Sequence, residues 1–249
     1  MNVVAPLIQF AAVSRPPAVR LRRLTRSFSG RTVLDDVSLE IAAGEFVALI
    51  GKSGSGKTTL LRAIADLDDD AAGHGDIAVP ENRSVLFQDS RLLPWETLLR
   101  NVTLGLRAPD AEQRGREALA DVGLAGRENA WPSVLSGGEQ QRAALARSLI
   151  REPALLLADE PFGALDALTR LRMHDLLFRL VAIHRPAVLL VTHDIDEALK
   201  LADRVLVMDR GRIILDRAVA LRHPRRTTDP AFASRREELL TALGVLESV

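Results

Sequence analysis

The chain has 249 residues, enough for one large domain or two small ones, and its 47% hydrophobic and 27% charged residues suit a globular protein with a core of normal size. Its 33 Lys and Arg equal its 33 Asp and Glu, so the net charge is zero and gives no ground for general nucleic-acid binding. The absence of cysteine excludes disulfides, thiolate metal sites and cysteine nucleophiles.

Residues 1–13 are apolar, but they lack a basic start and are interrupted by Pro6 and Gln9, which makes a poor signal peptide. Ser14-Arg15-Pro16-Pro17 reads as a linker, so residues 1–17 are expected to form a flexible N-terminal extension. No apolar run reaches the ~18–20 residues that cross a bilayer. Any role at a membrane is therefore expected to run through partners rather than a span within this sequence.

From Ala18 the pattern changes. Val19-Arg20-Leu21 and Val37-Ser38-Leu39-Glu40-Ile41 alternate apolar and polar, as half-buried strands do, with Gly30 and Gly44 as punctuation. The apolar runs 46–50, 154–158 and 188–191 suit strands buried on both faces of a parallel sheet. Helical stretches at 58–65, 139–150 and 168–183 lie between them, and this alternation predicts an α/β core. Residues 89–150 hold no comparable β run and carry Ala118, Leu119, Val122 and Leu124 at helical spacing, so they read as a mostly helical insertion. Residues 204–208 and 212–215 flank Asp209-Arg210-Gly211 as a hairpin would. The tail from Phe232, with Leu239, Leu240, Leu243 and Leu246, reads as a short amphipathic helix.

Two motifs carry chemistry. Gly51-Lys52-Ser53-Gly54-Ser55-Gly56-Lys57-Thr58 fits the phosphate-loop pattern G-x-x-x-x-G-K-[ST], after an apolar strand and before a helix. Its glycines let backbone N–H groups turn inward at phosphate oxygens, and the helix N-terminus adds partial positive charge. Lys57 can bridge the β- and γ-phosphates of a nucleotide, the Thr58 hydroxyl can ligate Mg²⁺, and Thr59 stands beside them. The plain alternative is a Gly-Ser loop with an incidental lysine. Leu155-Leu156-Leu157-Ala158-Asp159-Glu160 is an apolar strand that ends in two acids, at the mouth where α/β sheets bind ligands. Asp159 is placed to hold Mg²⁺, and Glu160 to orient or deprotonate an attacking water. The alternative is a strand end capped by solvated acids.

Leu135-Ser136-Gly137-Gly138-Glu139-Gln140-Gln141-Arg142 resembles the LSGGQ signature of ABC-type ATPases, with Glu139 where glutamine is usual. A serine and two glycines at a helix start again present N–H groups and a positive dipole end; an ordinary N-capped helix explains Ser136 but not the glycine pair. The resemblance covers nearly all of the chain from Ala18. It implies a P-loop NTPase fold: a RecA-like α/β core with an antiparallel β subdomain (18–88 and 151–216), an α-helical subdomain at 89–150, and a C-terminal tail at 217–249.

The resemblance also implies roles for individual residues. Gln88 matches a glutamine that reaches Mg²⁺ and the water and links the core to the insertion. Asp166, in Gly163-Ala164-Leu165-Asp166, matches a loop that crosses a dimer interface. His193 matches a histidine on the γ-phosphate. Phe28 falls where the family stacks an aromatic on adenine. Taken alone, these four read as a strand-end polar residue, a turn, a surface histidine and a packing aromatic. The other histidines, His74, His174, His184 and His223, match no motif and are expected to be satisfied surface residues. Asp66 to Gly75 departs from the family pattern with an acidic run that lacks a Ca²⁺-binding ligand pattern and reads as a solvated loop.

A single phosphate loop, a single signature and no fused membrane span favour the ATPase subunit of an importer. Residues 87–95, 163–170 and 192–198 resemble those of bacterial aliphatic-sulfonate importers, and nitrate and taurine importers share much of this. Trp131-Pro132 and His223-Pro224-Arg225-Arg226 favour the sulfonate branch. A soluble, non-transport ABC ATPase and a non-catalytic nucleotide sensor are the rival classes. The family implies a homodimer that closes Ser136, Gly137, Gly138 and Glu139 of one copy over the ATP and Mg²⁺ of the other. It also implies two membrane permease subunits, a periplasmic solute-binding protein, no nucleic acid, and a place on the cytoplasmic face of the bacterial inner membrane. Residues 92–95 would pass motion to the permease.

Overall fold

The computed structural model describes residues 17–246. Nearly all of the extension expected at 1–17 lies outside the described residues; Pro17 opens the first strand.

Two sheets organise the molecule. Strands β1 (Pro17–Phe28), β2 (Arg31–Ala42) and β4 (Ala72–Ala78) form an antiparallel sheet in the order β2-β1-β4. Six strands form the second: β3 (Phe46–Gly51), β5 (Arg83–Leu86), β6 (Leu155–Asp159), β7 (Ala187–Val191), β8 (Arg204–Asp209) and β9 (Arg212–Ala218), in the order β5-β6-β7-β3-β8-β9. All its neighbours are parallel except the β8–β9 hairpin.

The side-chain period of two explains the layers. Val47 and Leu49 of β3 join one apolar cluster with α1 (Lys57–Ala65) and the inner face of β1 and β2. Phe46, Ala48 and Ile50 join the other, with α4 (Gly137–Leu149), α5 (Ala167–His184) and α6 (Ile195–Leu201). Because both faces are covered, the central strands need apolar residues at every position, which is why they appear as unbroken runs.

Between β5 and β6 run α2 (Leu98–Val102), α3 (Ala111–Asp121), a short 3₁₀ turn at Pro132–Val134 and α4. Buried Leu98, Val102, Leu119, Val122 and Leu124 belong to the same cluster as the α4–α6 face of the sheet. Buried Asn101 accepts from Leu93 N (2.7 Å) and donates to the carbonyls of Leu93, Glu96 and Thr97, fixing a loop on which Trp95 stands 67% exposed. The side chain of Arg147, on α4, donates to the carbonyls of Ser90 and Arg91 at 2.7 and 2.8 Å and braces the start of the same loop.

Three expectations need correction. The acidic stretch 66–75 is not all solvated loop, because its last four residues start β4. Gly73 and Gly75 there let the strand lie close to β1: a Cβ would fall 2.0 Å from Thr25 O and 2.6 Å from Arg23 O. Asp68 is also no solvated acid, since its half-buried carboxylate pairs with Arg26 Nε at 2.6 Å. The tail helix α7 (Pro230–Ala242) buries Phe232 and Leu239 but stops before Leu246, because Gly244 turns to φ +65°. The third correction concerns His174, which is 6% exposed inside the molecule, its ring 5.4 Å from that of Phe162.

Candidate functional site

The strand order places three loops side by side. β3 lies next to β7, and β7 next to β6, so their carboxyl ends open on one crevice. The registers Leu49↔Val191 and Asp159↔Val191 put the ends at one level. The glycine-rich loop 51–58, Glu160 just after β6 and His193 after β7 therefore share one open cleft, with Asp159, the last residue of β6, behind Thr58. It is lined by Val33, Gly51, Ser53, Gly54, Gly56, Lys57, Thr58, Thr59, Glu160 and His193.

Loop 51–58 adopts its shape because glycine alone fits at key points. Gly54 and Gly56 have φ of +76° and +107°, a region side chains resist. A Cβ at Gly51 would sit 2.3 Å from Met208 O. Gly56 is also the N-cap of α1 and offers no capping side chain, so the first-turn N–H groups remain free for an anion. Lys57 is buried and curls back, donating from Nζ to Gly51 O (2.9 Å) and Lys52 O (3.1 Å). Burial pushes its ammonium below the ordinary lysine range, while Glu160 and Asp159 pull it back up. Gly211, in the β8–β9 turn, donates its N–H to Ser55 O at 2.8 Å and accepts from Asp35 N at 3.0 Å, fastening the loop to the hairpin and to β2. Lys52 reaches the tail, with its Nζ 3.5 Å from where a Cβ of Gly244 would stand.

The acids follow a different logic. Asp159 accepts from the Thr58 hydroxyl at 3.2 Å. Desolvation raises its carboxyl above the usual range; the Thr58 bond acts against this and the neighbouring Glu160 adds to it. Glu160 takes a left-handed backbone with φ +45°, which is strained for a long side chain and re-aims it as the strand ends. Its N–H donates to Val191 O and its carbonyl accepts from Gly163 N, so the end of β7 and its own following turn hold the strained backbone. Its Oε2 lies 3.0 Å from His193 Nδ1. The cleft thus joins a cationic, N–H-lined pocket to a carboxylate–imidazole pair, a set that can grip phosphates and orient a water.

The remaining candidates stand outside this lining. Gln88 follows β5, which β6 and β7 separate from β3, and its side-chain amide nitrogen lies 3.4 Å from where a Cβ of Gly163 would be. Phe28 ends β1, half-buried, and it is Val33 of β2 that borders the cleft. Asp166 caps α5, accepting from Leu168 N (3.1 Å) and Thr169 N (3.0 Å); bonds from the Thr169 hydroxyl and the amides hold its carboxylate below the usual range.

Ser136 and Glu139 form a reciprocal capping box on α4. Glu139 Oε2 accepts from Ser136 N at 2.9 Å, and Ser136 Oγ accepts from Glu139 N at 3.3 Å. Glu139 also pairs with Arg127 at 3.1 Å, and its bonds from Ser136 hold its carboxylate low. So glutamate in place of glutamine is accommodated as a cap. The two glycines differ. A Cβ on Gly138 would meet Thr169 Cγ2 at 2.7 Å, whereas one on exposed Gly137 would meet nothing within 4 Å. The fold itself therefore gives a steric reason for Gly138 and none for Gly137.

Sequence reasoning missed several supports. Buried Gln141 donates to Phe87 O at 2.9 Å, tying α4 to the segment that carries Gln88. Its signal was a glutamine in register with Leu145 and Ser148 on the buried face of α4. His174 and Glu197 are both buried and face each other with Nε2 and Oε1 2.9 Å apart. His174 lies in the apolar stripe Met173, Leu177, Leu180, which was readable as a core position.

Comparison with known proteins follows the same lines. The sequence profile described as "ABC transporter" matches residues 34–163. The chain is 66% identical to an aliphatic sulfonates import ATP-binding protein, SsuB 2, of Streptomyces avermitilis, over 93% of this chain and 92% of that one. It is 64% identical to the protein of the same name from Rhizobium johnstonii, over 92% of each. Among solved structures it is similar to the ATP-binding cassette MJ0796 in a dimeric post-hydrolysis state bound to ADP and Pi. That likeness has TM-score 0.71 and 31% identity, and covers 82% of this chain and 99% of that one. CbiO1 of Clostridium perfringens, part of the ABC transporter complex cbiONQ, shares the fold at TM-score 0.76 and 24% identity, over 92% and 96% of the two chains.

Proposed function

The chain belongs to the ABC transporter family, and on that premise we propose that it is the ATP-hydrolysing subunit of an importer for aliphatic sulfonates. The observation that carries the ATPase reading is the joining of Lys57, Thr58, Glu160 and His193 around one cleft, with Asp159 bonded to Thr58 behind it. In that cleft the free N–H groups of loop 51–58 and Lys57 hold the phosphates of ATP. Thr58 and Asp159 present two hard oxygen donors 3.2 Å apart, the kind Mg²⁺ takes together with substrate phosphates, and it would neutralise charge on the β- and γ-phosphates there. Glu160 orients the attacking water and draws its proton, and His193 holds the γ-phosphate and steadies Glu160. Gln88 reports the state of the cleft to the helical segment through the backbone that Gln141 grips.

One chain supplies only half of the grip. Ser136, Gly137 and Glu139 are not among the residues that line its own cleft. Exposed Gly137 is free of steric demands within the chain, which suits close approach by a second copy. The protein works as a homodimer in which the helix start at Ser136 of one protomer closes on the ATP of its partner. The described residues contain no helix long and apolar enough to cross a membrane. The dimer acts at the cytoplasmic face of the inner membrane, on two permease subunits fed by a periplasmic binding protein. The exposed loop with Trp95 is the contact that passes closure to a permease. Growth with an alkanesulfonate as sole sulfur source, with and without the gene, tests the solute: loss of growth that the wild-type gene restores and Lys57→Ala does not is expected, and unchanged growth of the deletion strain contradicts the proposal.

A further inference from the structure

We infer that His174, remote from the nucleotide cleft, is a positioning residue for His193; the inference rests on the hydrolytic reading above. The loop that carries His193 is short, and its flanks are fixed by a buried polar chain. On one side, the Thr192 hydroxyl donates to Glu197 Oε2 and accepts from Asp194 N at 3.0 Å. On the other, Asp194 caps α6 by accepting from Asp196 N and Glu197 N at 2.9 and 3.1 Å. Both sides converge on Glu197, which is 4% exposed.

A buried carboxylate is costly unless its second oxygen also meets a polar partner. His174, on α5, is the polar group that faces this oxygen: its Nε2 stands 2.9 Å from Glu197 Oε1, within ion-pair distance though not aligned as a hydrogen bond. The imidazole is itself held against Phe162, whose ring centroid lies 5.4 Å away and which follows Glu160 by two residues. The path His174–Glu197–Thr192 therefore ends beside His193, and His193 meets Glu160 at 3.0 Å. A residue in the middle of α5 closes a circuit through both members of the carboxylate–imidazole pair. His193 is exposed, its side chain 63% accessible, so its aim depends on Glu160 and on how rigid its flanks are.

Removing the imidazole leaves Glu197 without its α5 partner and frees the 192–194 segment. Because a small misplacement of a group acting on the transferred phosphate slows chemistry more than binding, kcat should fall while nucleotide affinity holds. ATP turnover and ADP binding are measured for purified His174→Leu, His174→Gln and Thr192→Val, with His193→Ala as reference and thermal melting as a check on folding. The expected result is a kcat loss of about 10- to 100-fold for His174→Leu and Thr192→Val. The KM for ATP and the affinity for ADP, which lacks the γ-phosphate, should stay within about twofold. His174→Gln, which keeps a polar amide facing Glu197, should restore most of kcat. If His174→Leu does not fold, Thr192→Val decides by the same measure.

Wild-type kcat in folded His174→Leu and Thr192→Val, beside a crippled His193→Ala, overturns the inference alone. A loss matched by equally weakened ADP binding, or unrelieved by His174→Gln, overturns it too, because that marks a general structural defect. Full activity of His193→Ala removes the hydrolytic reading itself and the inference with it.

Discussion

His193 Nδ1 and Glu160 Oε2 stand 3.0 Å apart although 33 positions separate them in the chain. Adjacent parallel strands explain the meeting, since β6 and β7 end at one level and each releases its polar residue just past its last ladder position. Glutamine at 160 has the same shape and keeps a partner for the imidazole, but it cannot take a proton. Glu160→Gln is therefore expected to bind ATP as tightly as the wild type and to lose about 10²- to 10⁴-fold in turnover. Equilibrium binding with single-turnover hydrolysis reads both quantities.

Lys57 is expected to matter for binding rather than for folding. In the proposed complex its ammonium makes charge-assisted contacts with phosphate, which are worth about 1.5–3 kcal/mol each and correspond to about 10- to 150-fold in affinity. Lys57→Ala should weaken ATP by at least that range in a fluorescence titration, with far-ultraviolet circular dichroism unchanged.

The raised carboxyl of Asp159 fixes the sign of a pH effect. Without metal, the folded state holds this proton more tightly than the unfolded chain. Its contribution to stability is therefore fully present below the unfolded value and is lost as pH rises through the raised folded value. Asp159→Asn removes the buried charge, so at neutral pH the metal-free variant should melt higher than the wild type by a few degrees at most. The same variant should lose the Mg²⁺-dependent rise in melting temperature seen with nucleotide. In the wild type that rise should shrink as pH is lowered toward the carboxyl range, because protons compete for Asp159. Thermal scans at several pH values, with and without Mg²⁺, check all three.

Two adjacent glycines should behave oppositely. Gly137→Ala adds a methyl into open space on a helix and should be neutral or stabilising by up to about 1 kcal/mol in the isolated chain. If the proposed dimer forms, its turnover should nevertheless drop, because the methyl would enter the gap that the proposal gives to the partner's nucleotide. Gly138→Ala drives Cβ to 2.7 Å from Thr169 Cγ2 and should destabilise the chain by about 1–3 kcal/mol. Urea unfolding and ATPase assays of the two variants separate the effects.

Much of this architecture was legible before the coordinates. The unbroken runs of β3, β6 and β7 and the alternation of β1 and β2 follow from how many faces each strand buries. The strand β4 was not legible, because it lies at the edge of its sheet and is nearly all exposed, so it carries no apolar period; its glycines answer to the backbone of β1. The residues around the cleft were readable because phosphate chemistry restricts what can stand at 51–58. Their supports were harder to see. Asn101, Gln141 and Glu197 are polar residues on buried helix faces: Asn101 folds back on the loop just before it, whereas Gln141 and Glu197 answer to a carbonyl and an imidazole far away in sequence. His174 shows the cost of assigning histidines by motif alone, since its place in an apolar stripe outweighed the absence of a motif.

The central claim is that each nucleotide is held jointly by loop 51–58 of one protomer and the Ser136 helix start of its mate. Light scattering on Glu160→Gln with Mg²⁺ and ATP tests it most directly, compared with Glu160→Gln/Ser136→Arg under the same conditions. The account predicts a dimer for the first and a monomer that still binds ATP for the second. Equal masses for the two proteins, whether both dimeric or both monomeric, would contradict it.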